Sequence, residues 1–340
     1  MKILVFEYIT GGGFNKQKLP DSLANEGRFM LQALLDNLSG ISGIELVVML
    51  DSRVNGLVST TGINAIIINP EQNSHEEFAR LAQHCDAVWP IAPEFENILQ
   101  TLCQTVELLG KILLTSPARA VAITGNKFNT YQHLKQHHIA TVPTRKLKNR
   151  CGFIRTMRIN SRLHYGEWMI KPVDGAGCAD SYLITDPKDV ELMLTRKGRY
   201  VIQPHIQGKK TSLSCLFKQG SAWLLCANLQ QFNIVDRQYK LTEIIVNHHT
   251  DPGVYQNVVD NIAQALPELW GYVGIDLIET PEQLLVLEIN PRLTTSFVGI
   301  YAALGINVAE TVLQLLEGKP KLNPVYDRQI TIKVKHNDTN

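Results

Sequence analysis

Short apolar runs punctuate the first third of the chain. KILVFEY at residues 2–8 is followed by Ile44–Leu50, Ala65–Ile68, Ala87–Ile91 and Ile112–Leu114. Each is short enough to read as a buried strand. Helical patterns lie between several of them, at Leu23–Leu38, Ser74–Cys85 and Glu94–Leu109. The second opens with Ser74 and Glu77 in capping-box spacing. The third puts Ile98, Leu102 and Val106 on one stripe, with Leu99, Cys103 and Leu109 beside it. Strands alternating with helices predict a parallel sheet covered on both faces. Ligands collect at the carboxyl ends of the strands in such a sheet, and Gly11–Gly13, Asp51 and Pro93–Glu94 lie at such ends.

The pattern then changes. A helix is expected from about Asn126 to His138, closed off by Pro143, and Asn149–Asn160 gives no clear period. From Trp168 onward the runs WMIKPV, SYLI, RYVIQPHI, SLSCLF, AWLLCANL, GYVGIDLIE and LLVLEINP are spaced like an antiparallel sheet with hairpins. A helix over Val308–Leu316 and a strand over Gln329–Val334 close the pattern. The fold class is therefore α/β followed by α+β.

Composition narrows the function classes. The chain has 33 basic and 32 acidic residues, so no broad cationic field favours nucleic acid or anionic lipid. Its 44% apolar and 19% charged residues are those of a globular protein. No apolar run reaches the roughly 20 residues that span a bilayer, and the first run, interrupted by Glu7 and Tyr8, reads as a strand rather than a signal peptide. Cys85, Cys103, Cys151, Cys178, Cys215 and Cys226 are scattered without a CxxC pair. They read as reduced thiols of a cytoplasmic protein, not as a zinc site or disulfide framework.

The candidate chemistry lies in four elements in fixed order. Lys127 opens a helix, and Lys171 sits on a strand leading into the loop DGAGCADS. The strand Val201–Ile206 ends in Gln203-Pro204-His205-Ile206, and Asp276 on one strand precedes Glu288 and Asn290 on the next. Two separate lysines can each meet a phosphate oxygen. Asp174, Gly175, Ala176 and Gly177 form a turn whose glycines let backbone N–H groups face phosphate. The loop has neither Walker nor GxGxxG spacing. Asp276, Glu288 and Asn290 offer only oxygen ligands, which suits Mg²⁺ or Mn²⁺. Glu288 and Asn290 share one face of a strand, and a partner strand can set Asp276 opposite them. Two metals bridging the phosphates would offset the charge of phosphoryl transfer, and Arg292 follows immediately as a further cation.

These residues resemble the ATP-grasp superfamily over roughly residues 124–299. The resemblance implies a parallel pre-ATP-grasp α/β domain over residues 1–123 and a central α+β subdomain over 124–205. A second α+β subdomain, over 206–340, would carry the metal site, and the two would clasp ATP. It implies phosphate contacts from Lys127 and Lys171, and a flap at Asp174–Ser181. It also implies an adenine-reading hinge at Gln203–Ile206, two metal ions on Asp276, Glu288 and Asn290, and a phosphate-contacting Arg292. One position departs: many relatives place a ribose-binding glutamate seven residues beyond the first hinge residue, where this chain has Lys210.

FEYITGGG, LPDSLANEGRFMLQALL and APEFENIL resemble a small branch of the superfamily that includes the tyramine–L-glutamate ligases of methanofuran biosynthesis. The implied reaction activates a small carboxylate as an acyl-phosphate and joins it to an amine. Another amino-acid or dipeptide ligase and a non-catalytic ATP-binding regulator are the alternatives. Superfamily members are often homodimers, which makes a homodimer an expectation of the resemblance alone. Gly11, Gly12 and Gly13 either let a ligand approach the backbone or make a tight turn. Glu7 either holds a substrate ammonium or pairs with Arg28, while Glu26 and Glu94 either line the site or sit on exposed helix starts.

Overall fold

The computed structural model describes residues 1–147, 167–175, 180–186, 189, 193, 195–248 and 252–334. The first five strands are β1 (Lys2–Glu7), β2 (Glu45–Asp51), β3 (Asn64–Ile68), β4 (Ala87–Ile91) and β5 (Ile112–Leu113). They pair in parallel in the order β3-β2-β1-β4-β5. The strand order reverses between β1 and β4, which opens a crevice at their carboxyl ends. Helix α1 (Asp21–Ser39) covers one face through Leu31, Leu34, Leu35 and Leu38. Helices α2 (Ser74–Gln83) and α3 (Ile98–Leu108) cover the other through Phe78, Leu99, Leu102 and Val106.

Helices α4 (Ala118–Thr124) and α5 (Lys127–Gln136) lead into a larger antiparallel sheet. Its first strands are β6 (Arg145–Leu147), β7 (Trp168–Pro172), β8 (Tyr182–Ile184) and β9 (Tyr200–Pro204). Then come β10 (Lys209–Lys218), β11 (Ser221–Val235), β12 (Gln238–Val246), β13 (Gly271–Glu279) and β14 (Leu284–Asn290). The order is β14-β13-β10-β11-β12-β8-β7-β9-β6, with β15 (Ile330–Lys333) added on β12. Helix α6 (Pro252–Ala265) packs behind β11, while α7 (Phe297–Leu304) and α8 (Val308–Glu317) pack on α1. One apolar core therefore runs from Ile3, Leu31 and Leu35 into Phe297, Ile300, Val308 and Val312.

Two sequence expectations about these elements are corrected. The cap of α2 is Asn73, not Ser74: Asn73 Oδ1 accepts from the amides of His75 and Glu76, and its Nδ2 donates to Glu76. Glu94–Leu109 is not one helix, because Glu96 and Asn97 adopt positive φ and α3 begins only at Ile98. Strands β6 and β12 and helices α4, α6 and α7 were not anticipated. The uninterpreted Asn149–Asn160 segment, Ala176, Gly177 and Cys178 lie outside the described residues.

Candidate active site

The hairpin β13–β14 carries the acidic residues. Asp276 and Glu288 are register partners, as are Gly274 and Asn290, and the register shifts just beyond Asp276. Asn290 Nδ2 and Gln230 Nε2 each donate to the Asp276 carboxylate at 3.0 Å. Burial pushes the Asp276 carboxyl up to about 6, and Glu288 adds to the rise. Two carboxylates held this close repel one another, so a cation between them would be favoured.

Two ammonium groups face the same hairpin. Lys127 is the first residue of α5, where the helix end favours negative rather than positive charge. Asn126 caps the helix instead, and Lys127 Nζ extends to the Gly175 carbonyl at 2.7 Å and to Glu288 at 3.5 Å. Lys171 on β7 reaches the same Glu288 oxygen at 3.7 Å. Both lysine side chains are nearly buried, at 8% and 10% exposure, where an unpaired charge would be costly. Asp174 meets Arg199 at 3.7 Å at the end of this strand.

Lys171, Asp276, Glu288, Asn290 and Arg292 line one cavity together with the hinge Gln203–Ile206. One end is apolar, walled by Val142, Ile206, Ile278 and Leu287, which pack together, and by Met169. Gln203 Nε2 donates to Thr144 Oγ1 at 2.9 Å, which fixes the side chain at the start of the hinge. His205 sits between Glu167 at 2.6 Å and the Tyr239 hydroxyl at 2.5 Å, which ties β7, β9 and β12 together.

The opposite end of the cavity meets the β1/β4 crevice. Arg292 makes a bidentate pair with Glu94, at 2.8 and 2.9 Å, and donates to the Leu293 carbonyl. Glu94 is buried, not on an exposed helix start. Glu26 lines the cavity and accepts from Thr295 Oγ1 at 2.9 Å. Glu7 accepts from the Ile9 and Thr10 amides and from Thr10 Oγ1. Its partner is not Arg28, which reaches the Leu57 carbonyl and lies over Phe29. Burial raises the Glu7 carboxyl to about 7. Gly11, Gly12 and Gly13 make a wide turn packed on Phe6, Ile68 and Tyr8, where an added Cβ would meet those side chains.

Among the described residues no group of three His, Cys, Asp or Glu side chains gathers as a metal site. The protein instead provides two carboxylates and one amide, all oxygen donors. Such a set fits a hard divalent ion that takes its other ligands from phosphate and water. The Glu94–Arg292 pair was not foreseen, since its partners lie 198 residues apart. Neither were Gln230 and Thr295, ordinary polar residues whose roles appear only when the strands are assembled.

Comparison with known proteins agrees with this architecture. The ATP-grasp domain profile matches residues 124–296, and the pre ATP-grasp 3 domain profile matches residues 44–121. The tyramine–L-glutamate ligase of Methanocaldococcus jannaschii is 24% identical over 302 residues, covering 88% of this chain and 84% of the relative. An ATP-grasp superfamily protein from Archaeoglobus fulgidus superposes with a TM-score of 0.71 at 23% identity, covering 98% of this chain and 92% of the other. The L-amino acid ligase from Bacillus licheniformis superposes with a TM-score of 0.66 at 17% identity, covering 97% and 79%. No single helix among the described residues is long and apolar enough to cross a membrane. Strand order, the lysine–carboxylate cleft and the domain match over half the chain lead to one assignment: this protein belongs to the ATP-grasp family.

Proposed function

We propose that this protein is an ATP-dependent carboxylate–amine ligase working through an acyl-phosphate. The observation that carries the reading is the meeting of Lys127 and Lys171 on Glu288, which lines the cavity together with Lys171, Asp276 and Asn290. In this reading adenine lies in the apolar end, against Met169, Ile206 and Leu287, and the hinge backbone reads its edge. Lys127 and Lys171 neutralise phosphate oxygens. Asp276, Glu288 and Asn290 would hold Mg²⁺ or Mn²⁺, which supplies charge stabilisation as the γ-phosphoryl group moves.

A carboxylate oxygen of the first substrate attacks the γ-phosphorus, and the bond to ADP breaks. The amine nitrogen then attacks the acyl carbon, phosphate leaves, and the nitrogen loses a proton. No protein nucleophile is needed; positioning and charge neutralisation provide the catalysis. Arg292, held rigid by Glu94, stabilises the acyl-phosphate. The loop that begins at Asp174 and Gly175 would serve to keep water from the intermediate. The three units 1–123, 124–205 and 206–340 then form the walls of one reaction chamber.

The substrates proposed are L-glutamate and tyramine or a related amine, in a methanofuran-type pathway. The M. jannaschii relative supports this choice, as does the wall of Phe232, Leu241 and Ile244 in the same cavity, which suits an amine with an apolar body. The test is to incubate the protein with ATP, Mg²⁺ or Mn²⁺, glutamate and a panel of tyramine, tyrosine and aliphatic amines. Amine-dependent ADP release with tyramine preferred is expected. ATP binding without turnover on any amine would overturn the ligase reading in favour of a regulator.

A further inference from the structure

Among the described residues Lys210 is a cation without a matching anion. It stands on β10 opposite Ile278, and its side chain lines the cavity that contains Lys171. Neighbouring lysines are compensated: Lys209 pairs with Glu279 at 3.8 Å and Lys171 with Glu288 at 3.7 Å. Among the described residues Lys210 has no such carboxylate, and Nζ donates only to the Ile206 carbonyl at 2.9 Å. Burial, followed by the charge of Lys171, lowers its pKa to about 8. An ammonium placed half-buried beside a second ammonium is unfavourable unless a ligand brings negative charge.

The position says which part of a ligand that is. Ile206 belongs to the hinge at the adenine end, and Lys171 to the phosphate end. Lys210 touches the first and feels the second, so it faces the segment between base and terminal phosphates. An ammonium has donors but no acceptor, and it cannot accept hydrogen bonds from ribose hydroxyls as a carboxylate would. We propose that Lys210 is a third cationic contact of the nucleotide, directed at the α-phosphate, and that it makes the site indifferent to the ribose 2′-hydroxyl. The inference rests on the nucleotide-binding reading above and adds to it a specificity-determining residue.

The test uses the full-length protein, Lys210→Met and Lys210→Arg, with binding of adenosine, AMP and ATP measured by calorimetry and turnover measured with ATP and 2′-deoxyATP. The wild type should bind AMP more tightly than adenosine, and Lys210→Met should erase that advantage, a loss on the order of 10- to 100-fold for one charged contact. Lys210→Arg should restore most of it. The methionine variant should raise KM for ATP while kcat stays within about threefold, since the γ-phosphate lies elsewhere. The wild type should use 2′-deoxyATP within about threefold of ATP. Unchanged AMP affinity in a folded Lys210→Met protein would overturn the inference, as would strong wild-type discrimination against 2′-deoxyATP. A wild type that binds no ATP would instead overturn the nucleotide-binding reading itself.

Discussion

Glu288 balances two lysines through a single oxygen, so removing it leaves two nearly buried ammonium groups facing each other. Lys171→Ala and Glu288→Ala are each expected to cut amine-dependent ADP release by about 10²–10³-fold or more, while the circular dichroism spectrum stays native. Normal turnover in both variants would remove these residues from the mechanism. Glu7 acts differently. Its folded pKa of about 7 lies above the usual carboxyl value because the site is dry, so ionising it costs stability. Stability should therefore decline as pH rises from about 4.5 through 7 and level off above, by on the order of 3 kcal/mol. Glu7→Gln should lessen that slope in urea denaturation across the same range and leave the part that belongs to Asp276, whose carboxyl is raised to about 6. Lys171, the hinge and EINPR were noticeable in the sequence because charged or amide groups interrupt apolar strands, and Lys127 because it opens a helix. Glu7 was visible, but its hydrogen bonding to Thr10 was not, because that depends on the turn after β1.

That turn is an element designed around contact. Gly12 has φ +103°, and an added Cβ would lie 2.7 Å from an Ile68 side-chain carbon. Gly12→Ala should lower unfolding free energy by roughly 1–3 kcal/mol, measured by thermal or chemical denaturation. An unchanged midpoint would mean that the turn can relax. The strands of the parallel sheet were readable because both faces are buried and the runs are uniformly apolar. Strand β12 was not, because QYKLTEIIV is only half-buried apart from Ile244 and Val246, and its polar residues mask it. The cap of α2 was misplaced by one residue because serine and asparagine are comparable caps, and only the backbone decides between them.

At the scale of the whole molecule, the Glu94–Arg292 pair fastens the first α/β unit to the strand that carries the metal-type donors. The two side chains are 5% and 12% exposed, so cutting one charge leaves the other stranded. Glu94→Gln should destabilise the protein by about 3 kcal/mol and loosen Arg292 at the site, lowering turnover more than ATP affinity. Calorimetry and steady-state kinetics would check both; a stable variant with full activity would show the pair to be dispensable. Glu94 and Arg292 were each singled out in the sequence, but their pairing was not legible from local pattern, because the partners lie 198 residues apart and neither run betrays the other.

The apolar interior that passes from α1 into α7 and α8 has a practical corollary for anyone recombining this scaffold. A chimera that grafts in a foreign leading module would have to bring along the matching surfaces of both later helices, together with the acid that Arg292 clasps. Substrate preference in such an enzyme would be inherited through a seam, not through an interchangeable cartridge.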